Sequence, residues 1–265
     1  MPVIRLAGVI GSQPLRGGGL TLSGLEESIE RAFATKRAKA VALAINSPGG
    51  SPVQSSLITN RVRALATEKK LPVLAFIEDV GASGGYYLAC AADEIYANPS
   101  SIVGSIGVVS AGFGFTEAIK RLGIERRLYT AGTRKALLDP FRPEDPDDVQ
   151  RLKGIQLDIH DTFKAVVRER RGGRLNGDDE ALFNGQIWSG VGALKLGIID
   201  GLGDLRGVLR ARFGDKVRLR TVNRSRPWWR RRVLPFTAAA ADPAELIDSW
   251  LAALEERALW ARFGL

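Results

Sequence analysis

Two stretches constrain this chain more than any other feature. Residues 40–46, AVALAIN, and 72–78, PVLAFIE, are short apolar runs bounded by turn residues. A run of that length without polar alternation suits a strand buried on both faces, as in a parallel sheet covered by helices. Around them the apolar residues take helical spacing. Leu25, Ile29, Ala32 and Phe33 share one helix face, and Ile58, Val62 and Leu65 line another. Residues 2–10 read as a first strand and 94–97 as a short later one. Residues 145–171 read as a long charged helix, with Leu152, Ile155, Ile159, Phe163 and Val166 as its apolar stripe. That stripe needs the body of the protein, or a neighbouring copy, to pack against. Strands and helices alternate to about residue 210, which predicts an α/β fold with a mainly parallel sheet and right-handed crossovers.

The residue inventory removes several chemistries. Cys90 is the single cysteine among 265 residues, so no internal disulfide and no multi-thiolate metal site is expected. His160 is the single histidine, which excludes any site built from two histidines of one chain, and its mid-helix setting reads as surface or packing. No run of 18 apolar residues occurs, so no membrane-spanning helix is expected. The opening MPVIRLAGVIGS is too short and too broken for the core of a signal peptide. The expected location is therefore the cytoplasm, with peripheral placement at the inner face of the membrane as the finer expectation; a trimmed leader or anchor is left open.

The charge is uneven. The net charge is +9, and residues 216–232 carry eight arginines and lysines with no acid, so the rest of the chain is near neutral. The organisation expected is a main domain over 1–215, a basic Trp-containing linker over 216–240 and a C-terminal amphipathic helix over 241–265. Arg224, Arg226, Trp228, Trp229, Arg230, Arg231 and Arg232 interleave cations with indoles, a mixture that suits a membrane interface carrying anionic lipid. A solvated linker is the plainer reading, and single-stranded nucleic acid the least expected partner. In the final helix Asp242 is placed to cap, with Pro243 and Glu245 in the first turn. Leu246, Ile247, Trp250, Leu251, Leu254 and Ala258 form its apolar face.

The chemistry is concentrated in two glycine-rich turns, Asn46-Ser47-Pro48-Gly49-Gly50 and Gly81-Ala82-Ser83-Gly84-Gly85. Each follows a buried strand and opens a helix, the position at which open α/β sheets place their sites. Glycines allow a ligand close to the backbone, and amides at a helix start lack acceptors and favour negative charge. Two such turns side by side could hold an oxyanion beside the Ser83 hydroxyl. Ser83 needs a base, and with histidine set aside a desolvated lysine can serve. Lys135, Lys120 and Lys153 are all candidates on spacing alone. Lys135 is read as following a short apolar strand.

SPGG, GASGGYYLA, GSIGV and YTAGTRK, in this order, resemble the SppA/SohB-type serine peptidases, signal peptide peptidases whose fold is related to ClpP and the crotonases. The resemblance covers about residues 2–210. It implies a ClpP/crotonase-like fold of repeated β-β-α and βα units. It further implies Ser83 as nucleophile, Lys135 as general base, Gly50 and Gly84 as oxyanion-binding amides, and Ser105 as the hydroxyl that positions the lysine. Asp93 to Ala97, Leu182 to Gly185 and Ala193 to Gly201 match segments read as structural. The implied activity is endoproteolysis of hydrophobic peptides, such as signal-peptide remnants, with no metal or other cofactor. The implied assembly is a homo-oligomeric ring in which Ser and Lys can come from neighbouring subunits. Two alternatives stand beside it: a crotonase-like acyl-CoA hydratase or isomerase, and a catalytically silent, membrane-associated oligomeric scaffold. The helix start after SPGG, Ser51-Pro52-Val53-Gln54, lacks the acid that an acyl-CoA site usually carries.

Overall fold

A computed structural model describes residues 1–11, 19–132, 134–222 and 257–264. The arginine and tryptophan cluster from Arg224 to Arg232, and the capping residues and most of the apolar face expected for the last helix, lie outside the described residues. In chain order the elements begin with β1 (Pro2–Ala7), α1 (Leu22–Phe33), β2 (Val41–Ser47), α2 (Pro52–Lys69), β3 (Val73–Ala82) and α3 (Gly84–Ala89). They continue with β4 (Glu94–Ala97), β5 (Ile102–Gly104), α4 (Thr116–Arg121), α5 (Pro146–Arg171) and α6 (Asp179–Leu182). β6 (Ile187–Ser189), α7 (Gly190–Lys195), β7 (Gly201–Leu202), α8 (Leu205–Phe213) and β8 (Arg220–Thr221) complete them.

The chain divides into two compact units, one of residues 1–106 with 164–265 and one of residues 107–163. The first holds an eight-stranded sheet in the order β6-β5-β3-β2-β1-β8. β3 is its branch point: the half from Leu74 to Ile77 pairs with β4, and the half from Val80 to Ala82 pairs with β5. Every pairing is parallel except that of β5 with β6. The α/β class with a mainly parallel sheet is therefore as the apolar runs demand. One sheet face, with Val3, Ala42, Ala44, Leu74 and Phe76, packs against Leu209 of α8. Residues of the opposite register, such as Ile4, Leu43 and Ile45, are fully buried, while α1, α2 and α3 contribute Ile29, Ile58 and Tyr86 to the interior.

Caps fix the helix starts. Thr21, Ser51, Ser189 and Asp204 each accept an amide from their own helix's first turn, satisfying donors that would otherwise be orphaned. The last turn of α5 is tied down from its side chains. Arg171 donates to the Gly197 carbonyl and to Asp200, and Arg170 donates to the carbonyls of Cys90 and Ala92. Two sequence expectations shift. The first strand ends at Ala7, with Ile10 making only isolated bridges. The sheet also reaches past residue 216, because β8 joins β1 through Arg220 and Thr221.

The unit of residues 107–163 contains α4 and the first two-thirds of α5, and no strand among its described residues. The short strand expected before Lys135 does not form, because this unit offers no strand edge to pair it with. Phe113, Phe115 and Phe141 cluster, with Arg126 over the Phe141 ring and paired to Asp139. Leu122, Ile124, Tyr129, Ile155 and Leu157 remain exposed.

Candidate active site

The site is built where β2 and β3 end. The SPGG turn leaves β2 into α2 and the GASGG turn leaves β3 into α3. Their glycines are demanded by contact. A Cβ on Gly49 would lie 2.8 Å from the Ser83 Cβ and 2.9 Å from the Gly84 nitrogen, and one on Gly85 would lie 2.4 Å from the Ser47 carbonyl oxygen. The two turns thus pack backbone against backbone. Gly49 and Gly50 also have φ of 107° and 138°, values that L side chains rarely adopt.

Ser83 occupies the bend itself, with φ 52° and ψ −124°, a strained backbone for a residue with a side chain. Its amide donates to the Gly104 carbonyl at 2.8 Å, locking the bend onto β5. Its hydroxyl does not cap α3, although Ser83 stands at the cap position, so it is not spent on the helix. A sharp strand-to-helix turn of this kind can present a hydroxyl for chemistry. Gly84, the first residue of α3, has an amide with no intrahelical acceptor. On the other turn, Ile10 donates to the Gly49 carbonyl and accepts from the Ser51 amide. Gly49 thus lies against Ser83 and Gly84, and Gly50 next to it is bridged to Ile10.

Ser105 follows β5 and also has a left-handed backbone, φ 52°, held by donation of its amide to the Gln186 carbonyl at 2.7 Å. Its neighbour across the branched sheet is the segment that carries Ser83, since Ala82 pairs with Gly104. Lys135 belongs to the other unit, in a turn where its amide donates to the Gly132 carbonyl. It is exposed.

Sequence reading passed over two groups near the site. Asn46, the last residue before SPGG, donates its side-chain amide to Asp79 at 2.6 Å and accepts from the Val80 amide at 3.2 Å. Tyr86, in the first turn of α3, donates its hydroxyl to the Ile198 carbonyl at 2.7 Å. Beside it burial pushes the Cys90 thiol up to about 12 and the Tyr86 hydroxyl well above its usual range, which leaves both protonated and inert. A cavity of about 670 Å³ opens over Val3, Ala44 and Phe76, on the sheet face that carries α8, and none of Ser83, Gly50 or Gly84 lines it.

Residues 65–216 match the Peptidase family S49. The chain belongs to that family. The Synechocystis sp. protein slr0021, which carries a protease name, is 31% identical over 222 residues, covering 80% of this chain and 79% of that one. The chloroplastic serine protease SPPA of Arabidopsis thaliana is 31% identical over 208 residues, covering 77% of this chain and 30% of the relative. The Na(+)/H(+) antiporter NhaA of Brucella abortus (strain 2308) is 51% identical over an alignment of 273 positions that takes in all of this chain but 37% of that protein. The chain therefore spans little more than a third of the Brucella relative, and among its described residues no helix is long and apolar enough to cross a membrane. Among solved structures, the 1510-N membrane-bound stomatin-specific protease, in a serine-to-alanine mutant form, has a TM-score of 0.50 at 18% identity. It covers 84% of this chain and 91% of its own, and the likeness is one of fold.

Proposed function

We propose that this chain is a serine endopeptidase with a Ser83/Lys135 dyad, acting on hydrophobic peptides such as signal-peptide remnants. The observation that carries the reading is the strained backbone of Ser83 on the β3–α3 bend, packed against Gly49 with its hydroxyl uncommitted to the helix. In the reaction the neutral Lys135 amine takes the Ser83 proton as Oγ attacks the peptide carbonyl. The amides of Gly50 and Gly84 hold the negative oxygen. The carbon–nitrogen bond then breaks, Lys135 returns the proton to the leaving amine, and an acyl-serine ester remains. Water, deprotonated by Lys135, attacks that ester and restores Ser83. Ser105 is the proposed hydroxyl that orients the lysine. The names of the S49 relatives, proteases and signal peptide peptidases among them, support the substrate class.

Exposure of Lys135 favours a working form in which a second copy covers it. The exposed Phe113, Leu122, Ile124 and Tyr129 of the same unit give that copy an apolar surface to bury. Labelling with a fluorescent fluorophosphonate tests the dyad. The parent is expected to label, and S83A and K135A are not. Mixing S83A with K135A under conditions that exchange subunits is expected to restore labelling if serine and lysine come from different copies. A folded parent that does not label, or labelling that survives in S83A, would overturn the reading.

A further inference from the structure

The β2–β3 ladder breaks just before the two catalytic turns. Ile45 pairs with Ile77, and the next pairing is Ser47 with Gly81, so one intervening residue on β2, Asn46, faces three on β3. The extra residues on β3 make a bulge that carries Glu78 and Asp79. Glu78 is held by a two-pronged ion pair with Arg5 of β1, at 3.0 and 2.8 Å. The gap left in the ladder is spanned by the Asn46 side chain. Its Oδ1 accepts from the Val80 amide and its Nδ2 donates to Asp79 Oδ2, while its own carbonyl accepts from the Gly8 amide at 2.9 Å. One carboxamide thereby stitches β2 to β3, and its backbone ties in the end of β1, directly before both turns begin.

We propose that Asn46 and Asp79 are a positioning pair that sets the register of the Gly50 amide against Ser83 and Gly84. This inference rests on the peptidase reading above. Gly50 lies four residues after Asn46, and Ser83 lies four after Asp79. Beyond the pair the turns leave no room for a side chain: a Cβ would come within 2.8 Å of the Ser83 Cβ at Gly49 and 2.4 Å of the Ser47 carbonyl oxygen at Gly85. A slip at Asn46 is therefore passed into the oxyanion site rather than absorbed. Misplacement of about 1 Å in such a site can cost about 10²-fold in rate. The bond between the two side chains is charge-assisted and directional: opposite a carboxylate at position 79, the side chain at position 46 must donate.

Reciprocal exchange on the full chain tests this. N46D sets two carboxylates against each other where a donor met an acceptor. D79N keeps an acceptor for Asn46. The double variant N46D/D79N restores one donor and one acceptor with the direction reversed, and the carboxylate at position 46 can still accept from the Val80 amide. The readout is the rate constant of fluorophosphonate labelling, measured well below each variant's thermal midpoint, which is recorded alongside. N46D is expected to label about 10–100-fold more slowly, D79N within about 3-fold of the parent, and the double variant to recover most of the loss. Where N46D fails to fold, N46A and D79A carry the test, with N46A/D79A no slower than N46A because either loss breaks the same link. Labelling at the parental rate in N46D, or a double variant no faster than N46D, overturns the positioning role, as do additive losses in the alanine set. A fall in thermal midpoint without a change in labelling also overturns it, assigning the pair to stability alone. If the folded parent does not label, the peptidase reading fails and this inference fails with it.

Discussion

A side chain at position 49 has nowhere to go: its Cβ would meet both the Ser83 Cβ and the Gly84 nitrogen below 3 Å, on a backbone at φ 107°. Gly49→Ala is therefore expected to cut fluorophosphonate labelling by at least about 10²-fold, the scale of losing one oxyanion donor. Gly112→Ala, where nothing lies within 4 Å, is expected to leave it unchanged. Equal labelling by both variants would show that the two turns are not held as tightly as the contacts require. Cys90 offers a second prediction at this scale. It is fully buried and its thiol is pushed up to about 12, so iodoacetamide is expected to leave it untouched in the native protein and to modify it in denaturant. SPGG and GASGG are legible as turns because glycine there has a local cause. The left-handed backbones of Ser83 and Ser105 are not legible, since serine has no intrinsic preference for that conformation and only the surrounding hydrogen bonds impose it.

Elements owe their ends to partners far along the chain. The second buried strand reads as ending at Glu78, yet β3 continues to Ala82, because Arg5 and Asn46 supply partners across the bulge. In the last turn of α5 the Arg171 side chain is only 1% exposed and reaches Asp200 and the Gly197 carbonyl. Asp200 in turn accepts from the Ile95 amide of β4 and from Arg174. Asp200→Ala would leave the Arg171 guanidinium buried without its counter-charge. The expected loss is about 3–5 kcal/mol in urea unfolding, against under about 1 kcal/mol for removing the exposed Glu125 that pairs with Arg127. Similar losses from both would sink the claim that burial makes the difference.

Stability of the whole molecule follows its carboxylates. Burial pushes Asp200 up, but the hydrogen bonds from Arg171 and Ile95, with the charges of Arg171 and Arg174, outweigh it and hold the group below the usual aspartate range. Glu94 is held low in the same sense: Arg212 and Tyr96 overcome its burial. A carboxylate with a depressed folded pKa contributes stability that is present above its unfolded value and lost as pH falls through the folded one. Urea stability is thus expected to hold from neutral pH down to about pH 4 and to fall below it. Asp200→Asn should flatten that fall; an unchanged pH profile would remove Asp200 from the account. The exposed apolar residues of 107–163 make a further prediction. Light scattering is expected to give a mass above one chain, and Phe113→Ser with Tyr129→Ser to lower it.

The sequence by itself determined the parallel α/β sheet and the two glycine-rich turns that leave β2 and β3 into helices. These rest on apolar runs, caps and glycines whose physical causes act over a few residues. Tertiary structure decided the branching of β3, the joining of β8 to β1 and the burial of Arg171, each of which depends on residues tens of positions apart. It also decided the backbone of Ser83 and the link from Asn46 to Asp79, because a donor and a carboxylate 33 residues apart become partners only when β2 and β3 lie side by side.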